Sequence, residues 1–280
     1  MKKIPIHAKS NFEGMKKAGK MAANTLDMIE EFIKPGVTTE ALDKICYDFI
    51  TSNGGICAPL GYKGFPKSMC TSVNHVVCHG IPSDYELRDG DIVGIDVTPI
   101  LDGWHGDSCR TFFVGNSFTE NDPKTIKAKR LTKVTYNAMM NAINLVKPGI
   151  KLAEIGKSIQ SYVAKYNFSV VRDFCGHGVG KTFHTEPMVP HYYADDVVDY
   201  ADSITLEEGM FFTIEPMINA GRFDVNVSKI DSWTVTTKDR QLSAQFEHTI
   251  GVTANGCEIF TKSDNFENTR LFQILDSIKL

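Results

Sequence analysis

The segment IKPGVTTEALDKI at 33–45 returns as VKPGIKLAEIGKSI at 146–159, and LRDGDIVGID at 87–96 aligns without a gap to LEEGMFFTIE at 206–215. This second alignment sets Asp96 opposite Glu215, and CHG around His79 similarly corresponds to GHG around His177. Each half therefore repeats a plan of two helices followed by strand-rich sequence. Two such halves can face one another about a pseudo-twofold axis and give carboxylates to one cleft. Two independent domains would leave those carboxylates without a common scaffold.

Helical periodicity supports the plan. Met15, Ala18, Ala22, Leu26, Ile29 and Ile33 recur at three- and four-residue spacing, predicting a helix over 13–33 that Lys34-Pro35-Gly36 stops. Thr38 or Thr39 can cap the next helix, which runs to about Ser52. The second copy predicts a helix over 128–146 and another carrying Leu152, Ile155, Ile159 and Val163. Strands are expected at 91–98, 108–114, 210–218, 230–237 and 246–253. Residues 116–123 read as the connector between halves and 190–205 as an acidic, aromatic loop. Near the end, Phe272, Ile274, Leu275 and Ile278 suit a short docking helix. The expected division is a unit over 1–262, with halves at about 13–115 and 128–253, followed by an extension over 263–280.

At 280 residues the chain can bury a sizeable core, and its net charge of -4 gives no sign of a nucleic-acid surface. No secretory core follows the basic start, and later apolar runs are broken by charge and glycine, so no membrane span is expected. Seven cysteines, with no CxxC pair, fit reduced thiols in a cytoplasmic protein better than a disulfide framework.

Isolated Asp and Glu residues are usually solvated. Here Asp96, Asp107, Glu215 and Glu247 sit beside glycine or within apolar, strand-like runs, where a carboxylate needs a partner. Asp96 and Asp107 are 11 residues apart, which suits neighbouring strands joined by LDGWHG. Four carboxylates and an imidazole can hold two divalent ions, because cations offset their mutual repulsion.

The ordered set HVVCHGIP, IDVTPILDGWHGD, CGHGVG, TFHTEPMVP, FFTIEPM and SAQFEHTI resembles the bacterial-type (type I) methionine aminopeptidases, over about residues 10–260. That resemblance implies the pita-bread α+β fold, with antiparallel sheets around the site and helices outside. It implies that Asp96 binds one metal, Asp107 and Glu247 bridge both, and His177 with Glu215 completes the second position. The pair of ions would be manganese, iron, cobalt or zinc, and a bridging water or hydroxide would attack the peptide. Glu215 would also move the proton, while His79 and His184 would hydrogen-bond the scissile amide or its tetrahedral intermediate. His75, His105 and His248 suit packing or orienting roles, and His7 and His191 carry no signal.

The matched positions place Tyr62, Phe65, Cys70, Phe183 and Trp233 around the methionine side chain, whose thioether favours aromatic and soft neighbours. Pro59 and Phe65 depart from residues common in the family, as does Gly94, so no auxiliary monovalent cation is assigned. The implied activity is removal of the initiator methionine before a small second residue, on nascent chains at the ribosome, by a cytoplasmic monomer. The alternatives are a proline dipeptidase, which commonly carries a further N-terminal domain, and a non-catalytic pita-bread binding protein, which would be expected to lose ligands. A dinucleotide-binding fold lacks its strand–GxGxxG–helix pattern here.

Overall fold

The computed structural model describes residues 3–119 and 122–280. Among the described residues the α-helices are α1 Asn11–Ile29, α2 Thr39–Ser52, α3 Pro123–Ile143, α4 Ala153–Ala164, α5 Val198–Ser203 and α6 Arg270–Ser277. In α1 the predicted stripe is the buried one: Met15, Ala18, Ala22, Leu26 and Ile29 are all inaccessible. The helix closes earlier than expected, passing into a 3-10 turn at Glu30–Phe32 before the proline. Thr38 caps α2 by accepting the Ala41 N–H at 3.1 Å, which satisfies one of the free donors of the first turn. α3 starts five residues before its expected position because Asp122 caps it, accepting from Lys124 and Thr125 with Pro123 in the first turn. Residues 120 and 121 of the expected connector lie outside the described residues.

The principal sheet has eight strands: β1 Cys70–Val73, β2 Ile92–Val97, β3 Ser108–Phe113, β4 Gly176–Gly178, β5 Thr185–Val189, β6 Phe211–Ile214, β7 Glu247–Thr253 and β8 Gly256–Ile259. Their order is β5-β4-β6-β7-β3-β2-β1, with β8 paired to β7, and every pairing is antiparallel. The first copy thus supplies one side of the sheet and the second copy the other. They join between β3 and β7, where Glu247 pairs with Cys109. Side chains alternate across each strand. Val93, Ile95, Val97 and Phe112 enter the same core as Leu26, Leu42, Leu131 and Ile155 from the helices. Asp96 and the other carboxylates are thereby left to the opposite face.

Three further expected elements differ. The strand expected at 210–218 breaks after Ile214, and Met217–Asn219 pairs with Ser243–Gln245 in a separate sheet. Only Val235–Thr237 of the strand expected at 230–237 forms. Before it, Asp231 Oδ1 accepts from the N–H groups of Trp233 and Thr234 at 2.8 and 2.9 Å, a side-chain turn that competes with a ladder. Residues 190–205 are no solvated loop: they contain α5, and His191, Tyr192, Ala201 and Ile204 are buried. Their polar groups satisfy one another, as in Tyr192 to Asp196 and Tyr193 to Asp202, each at 2.7 Å.

Candidate metal centre and peptide pocket

Register explains why acidic residues remote in sequence share a face. Cys70, Asp96, Cys109 and Glu247 are successive cross-strand partners on β1, β2, β3 and β7, and directly opposed residues project to the same side. Asp107 lies two residues before Cys109 and so shares that side. The β6–β7 ladder reaches Ile214–His248, and Glu215 follows at once. His177 is held at the middle of β4, where close packing demands its glycine neighbour. A Cβ on Gly178 would come within 1.9 Å of the Glu186 carbonyl oxygen.

These groups meet. Asp107, His177 and Glu247 present ligand atoms that all lie within 4.8 Å of one another. His177 Nε2 is 3.4 Å from Asp107 Oδ2 and 3.6 Å from Glu215 Oε1. Its Nδ1–H donates to the Gly178 carbonyl at 3.1 Å, leaving Nε2 for the acids or for a metal. Thr98 donates to Asp107 Oδ1 at 2.7 Å, and Thr213 donates to Glu215 Oε1 at 2.7 Å. Gln245 Nε2 donates to the other oxygen of Glu215 at 3.3 Å.

The electrostatics are those of an acidic cluster wanting a cation. Burial, with the charges of Asp107 and Glu215, raises the Asp96 carboxyl well above its ordinary value. Burial, with Asp107, Glu215 and Asp96 around it, does the same for Glu247. Burial lifts Glu215 to about 7, opposed by His177 and reinforced by Asp107. Burial would also raise Asp107, but the His177 hydrogen bond and charge, with Thr98, reverse the direction. Burial alone would lower His177, and the neighbouring carboxylates instead raise it to about 9. The oxygen and imidazole donors fit a divalent metal of the manganese, iron, cobalt or zinc kind.

A cavity of about 450 Å³ opens onto this cluster, and all twelve residues singled out from the sequence line it. Asp96, Asp107, His177, Glu215 and Glu247 line it together with His79 and His184. Tyr62, Phe65, Cys70, Phe183 and Trp233 complete the expected wall. Within that wall Phe65 meets Trp233 edge-on at 5.2 Å, and Tyr62 lies 5.0 Å from Phe183 and 5.1 Å from His184, ring centroid to centroid. His79 stands edge-on to Phe174 and Trp233 with φ of 54°, a left-handed backbone costing about 1–3 kcal/mol for a residue with a Cβ. Burial lowers both His79 and His184 to about 4, so both are neutral near pH 7.

Other lining residues carried no assignment in the sequence reading, among them Thr98, Phe174, Met217 and Lys63. His191, read as silent, is buried, and its Nε2 accepts the backbone N–H of Glu215 at 3.1 Å. His7, also read as silent, stacks on Phe211 at 4.3 Å. His105 and His248 pack as expected, the first donating to the Gly180 carbonyl and the second bonded to Thr261.

Comparison with known proteins gives the family. The model of metallopeptidase family M24 matches residues 13–254. A methionine aminopeptidase of Rickettsia prowazekii (strain Madrid E) is 57% identical over 260 residues, covering 93% of this chain and 96% of that protein. The chain belongs to metallopeptidase family M24, among its bacterial-type methionine aminopeptidases. The crystal structure of methionine aminopeptidase from Rickettsia prowazekii superposes with a TM-score of 0.86, covering 93% of this chain and all of that one. Prolidase from Pyrococcus furiosus, 22% identical with a TM-score of 0.70, shares the fold; the match covers 92% of this chain but 66% of the prolidase. The family's pita-bread α+β architecture is the one described above.

Proposed function

We propose that this chain removes the N-terminal methionine from nascent proteins and peptides whose second residue is small. The observation that carries the reading is that Asp107, His177 and Glu247 converge, with Asp96 and Glu215 beside them, on a cavity of about 450 Å³ that aromatic side chains also line. Two divalent ions are proposed, with Asp107 and Glu247 shared between them, Asp96 serving one, and His177 with Glu215 serving the other. When bound, such ions polarise the peptide carbonyl and lower the pKa of the attacking water.

The chain's own residues do the rest. Tyr62, Phe65, Cys70, Phe183 and Trp233 enclose the thioether and exclude water from the buried end. His79 and His184, neutral at working pH, donate hydrogen bonds towards the scissile amide and the charge that develops on it. Glu215, lifted to about 7, is suited to hold a proton and pass it to the leaving nitrogen. A bulky second side chain would crowd the donors, which is the physical basis of the small-residue preference.

Among the described residues no helix is long and apolar enough to cross a membrane. The reading places the enzyme in the cytoplasm as a monomer, acting on chains at the ribosome. It takes residues 1–262 as the catalytic unit, with halves at about 13–115 and 128–253, and 263–280 as an extension bound to it.

The test compares Met-Ala-Ser with Met-Lys-Ser after metal removal and stepwise restoration of manganese, iron, cobalt or zinc. Methionine should be released from the first peptide alone at an appreciable rate. Cleavage of Xaa-Pro peptides with inactivity on Met-Ala-Ser would instead establish the dipeptidase alternative. Absence of hydrolysis in every well-occupied metal form would favour a binding protein.

A further inference from the structure

Lys63 is the one lysine or arginine among the residues lining the catalytic cavity, alongside Asp96, Asp107, Asp173, Glu215 and Glu247. It sits on a 3-10 turn, Tyr62–Gly64, with φ of 82° at Gly61 before it and 85° at its last residue, Gly64. Lys63 itself has φ of 47°, a conformation that strains a side-chain-bearing residue. The turn is closed by backbone bonds from Gly61 to Phe65 at 2.8 Å and from Phe65 to Tyr62 at 2.9 Å. A firm, strained turn thus presents an exposed lysine at the rim of a binding cavity.

Its ammonium lies 5.3 Å from the Tyr62 ring centroid, and among the described residues no ion pair with a carboxylate is formed by it. It also lies close enough to His184 to help push that imidazole down, after burial and the charge of His177. Two divalent ions held by Asp96, Asp107, Glu215 and Glu247 would balance those four charges and leave Lys63 and Asp173 as the other charged side chains of the lining.

The geometry points to Lys63 as a specificity determinant that receives an acidic side chain at the third position of the peptide substrate. This rests on the aminopeptidase reading. An extended peptide advances about 3.3 Å per residue. With its first residue in the aromatic wall and its second against the donors, the third residue would leave along the lining, where Lys63 is the one ammonium or guanidinium group. The contact is exposed, so it works as a rim ion pair: a modest gain that salt weakens.

The experiment uses the metal-loaded enzyme and three peptides, Met-Ala-Glu-Ser, Met-Ala-Gln-Ser and Met-Ala-Lys-Ser, at low and high ionic strength. Wild type should favour the glutamate peptide over the glutamine peptide by about two- to fivefold in kcat/KM, carried mainly by KM, with the lysine peptide poorest. The preference should shrink in high salt, vanish in Lys63→Met and invert in Lys63→Glu. Because each preference is a ratio within one variant, a general loss of activity cancels. Equal kcat/KM for the three peptides in wild type, with methionine released from all, would overturn the role of Lys63 and leave the aminopeptidase reading intact. A wild-type preference that survives unchanged in Lys63→Met would also overturn it. No methionine from any of the peptides would overturn both.

Discussion

His191 accepts the backbone N–H of Glu215 through Nε2 at 3.1 Å, although 24 residues separate them. Burial drives this imidazole down to about 3, so it stays neutral and keeps its acceptor throughout the working range. The contact fixes the backbone where β6 ends and the Glu215 carboxylate turns towards His177. His191→Leu leaves a buried N–H without a partner, at a cost of about 1–3 kcal/mol. Thermal unfolding should register that loss, and calorimetric titration should show weaker metal binding. His191→Gln, which can still accept, should recover part of both. Unchanged metal affinity in a destabilised His191→Leu would restrict the residue to a structural role.

The reason this contact was illegible lies in the segment that makes it. HYYADDVVDY looks solvated, but its tyrosine hydroxyls find the acids Asp196, Asp202 and Glu186, which lets the backbone fold inward and bury His191. Such mutual satisfaction leaves no periodic trace in sequence. Asp96 and Glu247 could be read because charge interrupts runs otherwise fit for a core, and the repeat aligned Asp96 with Glu215. The helices were legible from their stripes, and their ends less so. The 3-10 turn at Glu30–Phe32 and the Asp122 cap each moved a boundary through local hydrogen bonding. At 230–234 the Asp231 side chain outcompeted a ladder that composition favoured.

Asp107→Asn and Glu247→Gln keep size but remove anionic donors. Each should weaken metal occupancy and lower turnover of Met-Ala-Ser by at least about 100-fold, the upper end for disturbing a ligand's supporting partner. His79→Ala should behave differently, retaining metal while kcat falls by about 10²–10³, as for loss of a transition-state donor. Metal titration beside steady-state kinetics separates the two classes. Normal two-metal affinity and turnover in Asp107→Asn would defeat the bridging assignment.

Metal binding should release protons and strengthen as pH rises from about 6 to 8. Glu215, lifted to about 7, and His177, lifted to about 9, hold protons in the metal-free protein that ligation must displace. Both values are raised on folding. Their contribution to metal-free stability is therefore present below the unfolded values and is lost as pH rises through 7 and 9. The thermal shift produced by metal should accordingly grow across this window. Calorimetry in buffers of different ionisation enthalpy reads the protons directly; a slope of zero at pH 7 would contradict the argument.

The extension beyond 262 should stabilise the enzyme without entering its chemistry. Leu271 and Leu275 are buried in the common core, and Thr269 caps α6 by accepting the Phe272 N–H at 3.2 Å. The helix also ties distant elements together. The Leu271 N–H donates to Glu30 at 2.6 Å, Arg270 donates to the Phe113 carbonyl at 2.9 Å, and Lys133 donates to the Leu275 carbonyl at 2.8 Å. Those partners lie after α1, on β3 and on α3, so α6 fastens parts of both halves. Leu271→Ala should cost about 2–5 kcal/mol and Thr269→Ala about 1 kcal/mol. Neither residue lines the catalytic cavity. At a temperature where each variant remains folded, KM for Met-Ala-Ser and metal affinity should therefore match wild type while the unfolding midpoint falls. A change in KM or metal affinity without a fall in the midpoint would show that α6 acts on the site, and the stabilising role would have to be abandoned.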